Sequence, residues 1–303
     1  MNDEMPTMIG PDGSTTGVRA VVLGAGGVVG TAWMAGLAAE LRDRGVDMAE
    51  ADLVVGTSAG AIIGAILATG QALGPLATPR APADTGNAPP APNPEHLGEV
   101  FAVLNDPNLD PMTARRRVGQ LAIALGAATE QAQLARMEAL ITAREWPDSR
   151  LLITTVDTET AQRQVWHRAS GVPLVPAVAS SMAFPGTSPP ITISGRRYMD
   201  GGLWSATNAD LAAGARTLIV VEPLAHLFPR EPLHQELAAV GADTVVMINP
   251  NPAAVNAFGP DLHSRAAWLP AYEAGARQAA ELAERLHATW HGHAGEGVAP
   301  ALP

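Results

Sequence analysis

Gly56-Thr57-Ser58-Ala59-Gly60 is a G-x-S-x-G run between two apolar stretches, Ala51 to Val55 before it and Ala61 to Thr69 after it. In a strand-to-helix setting this pattern holds a serine out on a cramped turn. The glycines at minus two and plus two, Gly56 and Gly60, let neighbouring backbone pass without a clash. A helix starting just after Ser58 points its positive end at the serine and favours a developing anion. The chemistry on offer is nucleophilic attack by a hydroxyl. The same five residues also read as an ordinary small-residue turn.

Two further runs carry chemistry. Gly24-Ala25-Gly26-Gly27-Val28-Val29-Gly30 again stands between a strand pattern and a helix pattern. As a dinucleotide loop it has Gly24 and Gly26 in place, but Val29 stands where the third glycine belongs. As an oxyanion hole, consecutive glycine amides point at a carbonyl oxygen as it turns negative. A purely structural glycine turn is the third reading. Met199-Asp200-Gly201-Gly202 puts an acid at the end of a short strand, as a general base would be, or as one half of a common Asp-Gly turn. A hydroxyl nucleophile usually has a base beside it. His226, His234 and His263 follow Asp200, so the order Ser, Asp, His of an α/β-hydrolase is formally present. However, Ser58 follows only the second strand, where that fold places several strands first. His291-Gly292-His293 is a weak metal-site candidate and reads as a solvated segment. Asp52, Asp157 and Asp210 compete with Asp200 as acids and read as structural.

These groups need elements to hold them. Val18 to Leu23 and Ala51 to Val55 read as short buried strands, and Val28 to Arg44 and Ala61 to Thr69 as helices ended by Gly45 and Gly70. Strand, glycine turn, helix, twice over, predicts a parallel sheet with helices on both faces. Helix patterns cover Glu95 to Leu104 and Ala114 to Arg144, so 95–148 is expected to be a helical insertion after a Pro-rich loop at 71–94. Leu151 to Val156 and Gln164 to His167 suggest a strand and its hairpin partner, and Val175 to Met182 a short helix. Ile191 to Ile193 and Arg197 to Met199 flank a Ser-Gly turn. Thr217 to Val221 and Thr244 to Ile248 are buried-strand patterns, and Ala266 to Trp290 is a long helix starting in earnest at Pro270. The expected organisation is a loose leader at 1–17 and one α/β domain over 18–303.

Composition narrows the function classes. The chain has 303 residues, 47% hydrophobic and 16% charged, which is enough apolar material for a large core. It has no cysteine, which excludes disulfides, thiolate metal sites and a cysteine nucleophile. The net charge of −11, without a basic tract beyond Arg115-Arg116-Arg117, argues against a nucleic-acid partner and against strong attraction to anionic lipid. The segment Leu53 to Pro79 is uncharged but broken by glycines and prolines, so it reads as a buried strand–turn–helix rather than a membrane span. The first residues lack the basic start and apolar stretch of a secretory signal, so the expected location is cytoplasmic. No signature of oligomeric state is evident.

Taken together, the three runs resemble the patatin-like phospholipase family. That family pairs a glycine-rich loop with a G-x-S-x-G elbow about thirty residues on, here 31 positions from Gly27 to Ser58, and a much later Asp-Gly-Gly. A fourth block, Ala179-Ser180-Ser181-Met182-Ala183-Phe184-Pro185-Gly186-Thr187-Ser188-Pro189-Pro190, is also similar to the family's. The resemblance implies a three-layer α/β/α sandwich with a mainly parallel central sheet. It also implies a catalytic Ser58–Asp200 dyad without histidine, and an oxyanion hole from Gly26, Gly27 and the amide of Val28. Gly24, Gly30, Gly56, Gly60, Gly201 and Gly202 would support these motifs. The implied activity is hydrolysis of lipid acyl esters through an acyl-enzyme, with no cofactor or metal, and with peripheral contact at a membrane surface. The chain departs from the family where Ala25 replaces a glycine and Val29 a basic residue. A nucleotide-binding protein and a catalytically inactive interaction protein are the competing classes.

Overall fold

The computed structural model describes residues 18–78, 94–124 and 130–291. The leader at 1–17, residues 79–93 of the Pro-rich loop, residues 125–129 of the insertion and His293 lie outside the described residues.

In chain order, β1 (Arg19–Leu23) leads through α1 (Gly27–Asp43) to β2 (Leu53–Thr57) and α2 (Ala59–Ala68). Next come α3 (Pro94–Leu104), α4 (Pro111–Ala124) and α5 (Glu130–Leu140). β3 (Arg150–Asp157) and β4 (Arg163–Trp166) precede α6 (Leu174–Ser181) and the hairpin of β5 (Ile191–Ile193) with β6 (Arg196–Asp200). The chain ends with β7 (Thr217–Val221), α7 (Glu231–Val240), β8 (Thr244–Ile248), α8 (Pro252–Phe258) and α9 (Trp268–His291).

Among the described residues one sheet forms in the order β5-β6-β3-β2-β1-β7-β8, with β4 also paired to β3. Strands β3, β2, β1, β7 and β8 run parallel, and β4, β5 and β6 are antiparallel additions. β1 sits at the centre, with the chain winding to β2 on one side and to β7 on the other. In open α/β sheets, ligands bind at that switch point, beyond the strands' carboxyl ends.

The alternation of side chains along the strands creates the layers. Val21, Leu23, Val54, Ile153, Ile219 and Val221 face a core made with α1, α2, α6, α8 and α9. Ala20, Val22, Leu53, Val55, Leu218 and Val220 face the opposite way, onto α7 and the segment around Ala209–Ala212. Farther along that second face, Val156 and Met199 pack with Val100 of α3 and Val118 of α4. This is the expected mainly parallel α/β/α sandwich. Each fully buried Val, Leu or Ile contributes about 1.5–3 kcal/mol relative to an exposed one. α9 lies against α1 at backbone distance: a Cβ on Gly36 would run into the Tyr272 carbonyl, and one on Gly275 into the Trp33 carbonyl.

Three expectations need correction. Ala114 to Arg144 is not one helix: α4 and α5 are separate, and α5 stops at Leu140. Gln71 ends it, donating through Nε2 to the Leu140 carbonyl and accepting through Oε1 from the Thr142 amide, each at 2.8 Å. The last helix begins at Trp268, so Pro270 falls inside its first turn, where a missing N–H loses no intrahelical bond. Helices α7 and α8 were not among the sequence expectations. Among the described residues no helix is long and apolar enough to cross a membrane, and the uncharged stretch from Leu53 is built as β2 and α2.

Candidate active site

β2 ends at Thr57 and α2 starts at Ala59, so Ser58 alone makes the turn. Its backbone has φ 54° and ψ −117°, a conformation that stores of order 1–3 kcal/mol for a residue with a side chain. Surrounding contacts hold it there. A Cβ on Gly56 would lie 2.7 Å from the Gly60 carbonyl oxygen, and one on Gly60 would strike the Leu23 carbonyl. The Gly60 amide donates to the Gly24 carbonyl at 3.2 Å, tying the elbow to the glycine loop after β1. The Ser58 amide donates to Ser181 Oγ at 2.8 Å.

β3 brings the acid to the serine. It pairs with β2 through Thr57 and Thr154, and with β6 through Asp200 and Thr155, so the last residues of both strands meet adjacent positions of one ruler. Ser58 Oγ lies 2.7 Å from Asp200 Oδ2, and Met182 Sδ is 3.6 Å from the same hydroxyl. The Gly202 amide donates to Asp200 Oδ1 at 2.7 Å. A Cβ on Gly201 would collide with Thr154, and one on Gly202 would sit 3.4 Å from Ala25 Cβ, so the acid turn also abuts the glycine loop. Asp200 is 2% exposed and Ser58 6%. Burial pushes the Asp200 carboxyl up to about 7, against the hydrogen bonds from Ser58 and Gly202 that pull it down. Among the described residues no histidine hydrogen-bonds to Ser58 or Asp200.

The glycine loop is anchored at its start. The Gly24 amide donates to the Val221 carbonyl at 2.9 Å, and Ala25 to the Ala206 carbonyl at 2.8 Å. Pro223 packs where side chains on Gly26 or Gly30 would stand, and the Gly30 amide returns to the Gly26 carbonyl. Gly27 carries the positive φ of this turn, 60°, and a Cβ there would be 2.9 Å from the Leu262 carbonyl oxygen. Val28 departs from expectation: its amide donates to that Leu262 oxygen at 2.9 Å, as does the Val29 amide at 3.3 Å. Two of the orphan N–H groups of α1's first turn are thereby satisfied from the loop after α8, and Val28 offers no free donor. Gly26 and Gly27 keep their amides without a hydrogen-bond partner among the described residues.

The sequence did not single out several supports of this site. Ser181, which takes the Ser58 amide, lies in the Ala-Ser block but carried no assigned role. Beneath the elbow, Thr57 Oγ1 and Thr154 Oγ1 are 2.9 Å apart, and Asn208 Nδ2 donates to both, at 3.1 and 3.3 Å. Asn208 is held in turn by Arg163, which pairs with Asp210 through two contacts of 2.7 Å. Nothing local in the sequence links residues so far apart. The competing acids are engaged elsewhere: Asp210 here, Asp52 on the Arg19 amide, and Asp157 with Arg196. His291 reaches the Gly45 carbonyl at 2.7 Å. A groove lined by Arg44, Glu281, Glu284 and His287 lies at the opposite end of α1, about 25 Å along its axis from Gly27.

Among solved structures, the chain is similar to VipD from Legionella pneumophila, at 12% identity and TM-score 0.45, covering 92% of this chain and 69% of that one. It is also similar to the type III effector protein ExoU, at 17% identity and TM-score 0.35, covering 91% of this chain and 54% of that one. No match is found among curated proteins. The model of the patatin-like phospholipases matches residues 21–213, which include the glycine loop, the elbow and Asp200, and the chain belongs to that family.

Proposed function

We propose that residues 18–303 form one catalytic domain that hydrolyses acyl esters of lipids, with Ser58 as nucleophile and Asp200 as its base. The observation that carries this reading is the 2.7 Å contact between Ser58 Oγ and a carboxylate buried enough to titrate near neutrality. An ordinary aspartate is too weak a base for a serine hydroxyl, whereas a carboxyl at about 7 is matched to the working pH. Ser58 Oγ attacks the ester carbonyl carbon while its proton passes to Asp200 Oδ2. The carbonyl oxygen becomes negative facing the amides of Gly26 and Gly27, and one such donor is worth about 3–4 kcal/mol of barrier. Collapse of the intermediate expels the alcohol, which takes the proton from Asp200, and leaves an acyl-Ser58 ester. Water then attacks, giving its proton to Asp200, and the carboxylic acid leaves as Ser58 regains its hydrogen.

The environment suits an acyl chain. Met182 lies against the serine hydroxyl, the small Ala59 follows it in the chain, and the pair is nearly sealed from water. A lipid substrate brings the protein to a bilayer or micelle surface as a peripheral visitor. Nucleotide binding is disfavoured by the same loop. A pyrophosphate needs the first amides of α1, and those of Val28 and Val29 already donate to Leu262. The test is a panel of nitrophenyl esters of increasing chain length with the parent, Ser58→Ala and Asp200→Asn. Turnover that rises with chain length and disappears in both variants is expected. Parent-like turnover in either variant overturns the assignment, and an intact protein that cleaves none of the esters favours the inactive interaction protein.

A further inference from the structure

The chain carries 30 acidic and 19 basic residues. Arg136 on α5 nevertheless has a buried Nε without a hydrogen-bond partner among the described residues. One turn earlier on the same helix, Gln133 is 2% exposed, and its Nε2 also lacks a partner. Residues three apart share a helix face, so two buried donors stand on one side of α5 without a hydrogen-bond partner among the described residues. Leaving such groups unpaired is expensive, more so for a charged one.

The neighbouring Arg265 adds positive charge beside Arg136 rather than cancelling it. Burial, and after it repulsion from the Arg265 cation, lowers the Arg136 guanidinium to about 10, still protonated at neutral pH. Burial holds the His263 imidazole below its usual range, with the Asp261 carboxylate pulling it up and Arg136 pushing it down. Arg265 is exposed, Arg136 and His263 are half-buried and Gln133 is buried, so the cluster runs from surface to interior. No ion pair joins Arg136 or Arg265 to an acid among the described residues. The cluster also has a fixed place relative to the catalytic groups. His263 follows Leu262, whose carbonyl accepts the Val28 and Val29 amides beside Gly27.

We propose that Arg136 and Arg265, with Gln133 and His263, form a subsite for the phosphate group of an acyl ester, next to the Gly26–Gly27 loop. The inference rests on the hydrolase reading and names the polar part of its substrate. A phosphate oxygen set matches what is missing: an anion accepts from the planar guanidinium, from the Gln133 amide and from the exposed Arg265 at once. A net-negative protein thereby acquires a local means of holding an anionic head group.

The experiment compares the parent with Arg136→Gln, Arg265→Gln and the conservative Arg136→Lys in three arms. In the first, mixed micelles present either dioleoyl phosphatidate or dioleoylglycerol, identical in acyl chains. KM for the phosphatidate should rise about tenfold or more in Arg136→Gln with kcat little changed, less in Arg136→Lys, and KM for the neutral lipid should stay put. In the second, inorganic phosphate is added during nitrophenyl ester cleavage, and competitive inhibition that weakens in Arg136→Gln shows that the free ion occupies the same place. In the third, thermal melting of Ser58→Ala is followed with and without inorganic phosphate. A phosphate-dependent rise in Tm that Arg136→Gln removes is expected, together with a higher Tm for Arg136→Gln than for its parent in phosphate-free buffer, since an unpaired buried cation is gone. Equal losses on both lipids, or a Tm that phosphate does not move, overturn the subsite. If the parent cleaves no ester, the hydrolase reading fails by itself, while the melting arm still decides whether the anion binds.

Discussion

The two β–turn–α units at the centre of the fold share one grammar but present opposite groups. After β1 the positive φ falls on Gly27, which has no side chain, and the backbone amides of Gly26 and Gly27 have no partner among the described residues. After β2 it falls on Ser58, which projects its hydroxyl, while its own amide is consumed by Ser181. A strand, a small-residue turn and a helix therefore do not specify chemistry. What decides it is which residue takes the strained backbone position and who receives the amide. In the proposed mechanism one unit would offer N–H donors to a negative oxygen and the other the nucleophile; the bond from Gly60 to Gly24 ties the two turns together.

The largest expected effect breaks the second unit at its side chain. Ser58→Ala and Asp200→Asn should each lower kcat roughly 10⁴-fold or more and should not add when combined, because the pair acts as one device. Steady-state rates on a nitrophenyl ester, with the double variant included, measure this. Next, the two glycine turns can be set against each other. Gly27→Ala, facing the Leu262 carbonyl at positive φ, should lower kcat about 10²-fold by shifting the donors. Gly60→Ala, driven into the Leu23 carbonyl, should chiefly prevent folding. Gly70 also has positive φ but has nothing within 4 Å of a built Cβ, so Gly70→Ala should lose only about 1 kcal/mol and no activity. Circular dichroism melts beside rates separate the three.

The pH profile sharpens the same contrast, because the serine turn borrows its titrating group, Asp200, from the end of β6. Asp200 must be ionised to accept a proton, so kcat/KM should climb with pH and level off above about 7. Stability should run the other way. Between 3.8 and about 7 the folded chain holds a proton that the unfolded chain has released, so folding weakens as pH rises through that window and then stays level. Asp200→Asn should remove that slope and be more stable than the parent at pH 8, by roughly 2–4 kcal/mol. Denaturant titrations at several pH values test it. The smallest effect is at the support: Ser181→Ala leaves the Ser58 amide buried without an acceptor and should lose about 1–3 kcal/mol of stability, with a lesser loss of rate.

Much of this architecture was legible before any coordinates. Short β-branched apolar runs such as Val18 to Leu23 and Thr217 to Val221 are too short for helices and read as buried strands, and their alternation with helix patterns points to a parallel sheet. The glycines of the elbow were readable because steric need leaves few alternatives. The fate of the Val28 amide was not readable. Leu262 reaches it from a loop more than two hundred residues away, and no local pattern reports which carbonyl will cap a helix. The same holds for Ser181 and for the Thr57–Thr154–Asn208 network, which exists only once β2, β3 and the turn after β6 are in register. α7 and α8 did carry signals. A proline opens each helix, Asn251 caps the second, and Gly241 ends the first at positive φ. Their shortness and weak apolar pattern hid them.

The central claim is that the Ser58 hydroxyl is activated by Asp200 and by nothing else. The most direct measurement is treatment of the intact protein with a fluorophosphonate, followed by peptide mapping across pH 5 to 9. The account predicts a single adduct on Ser58, forming faster as pH passes about 7 and almost absent in Asp200→Asn. An adduct on another residue, or undiminished labelling of Ser58 after that substitution, would contradict it.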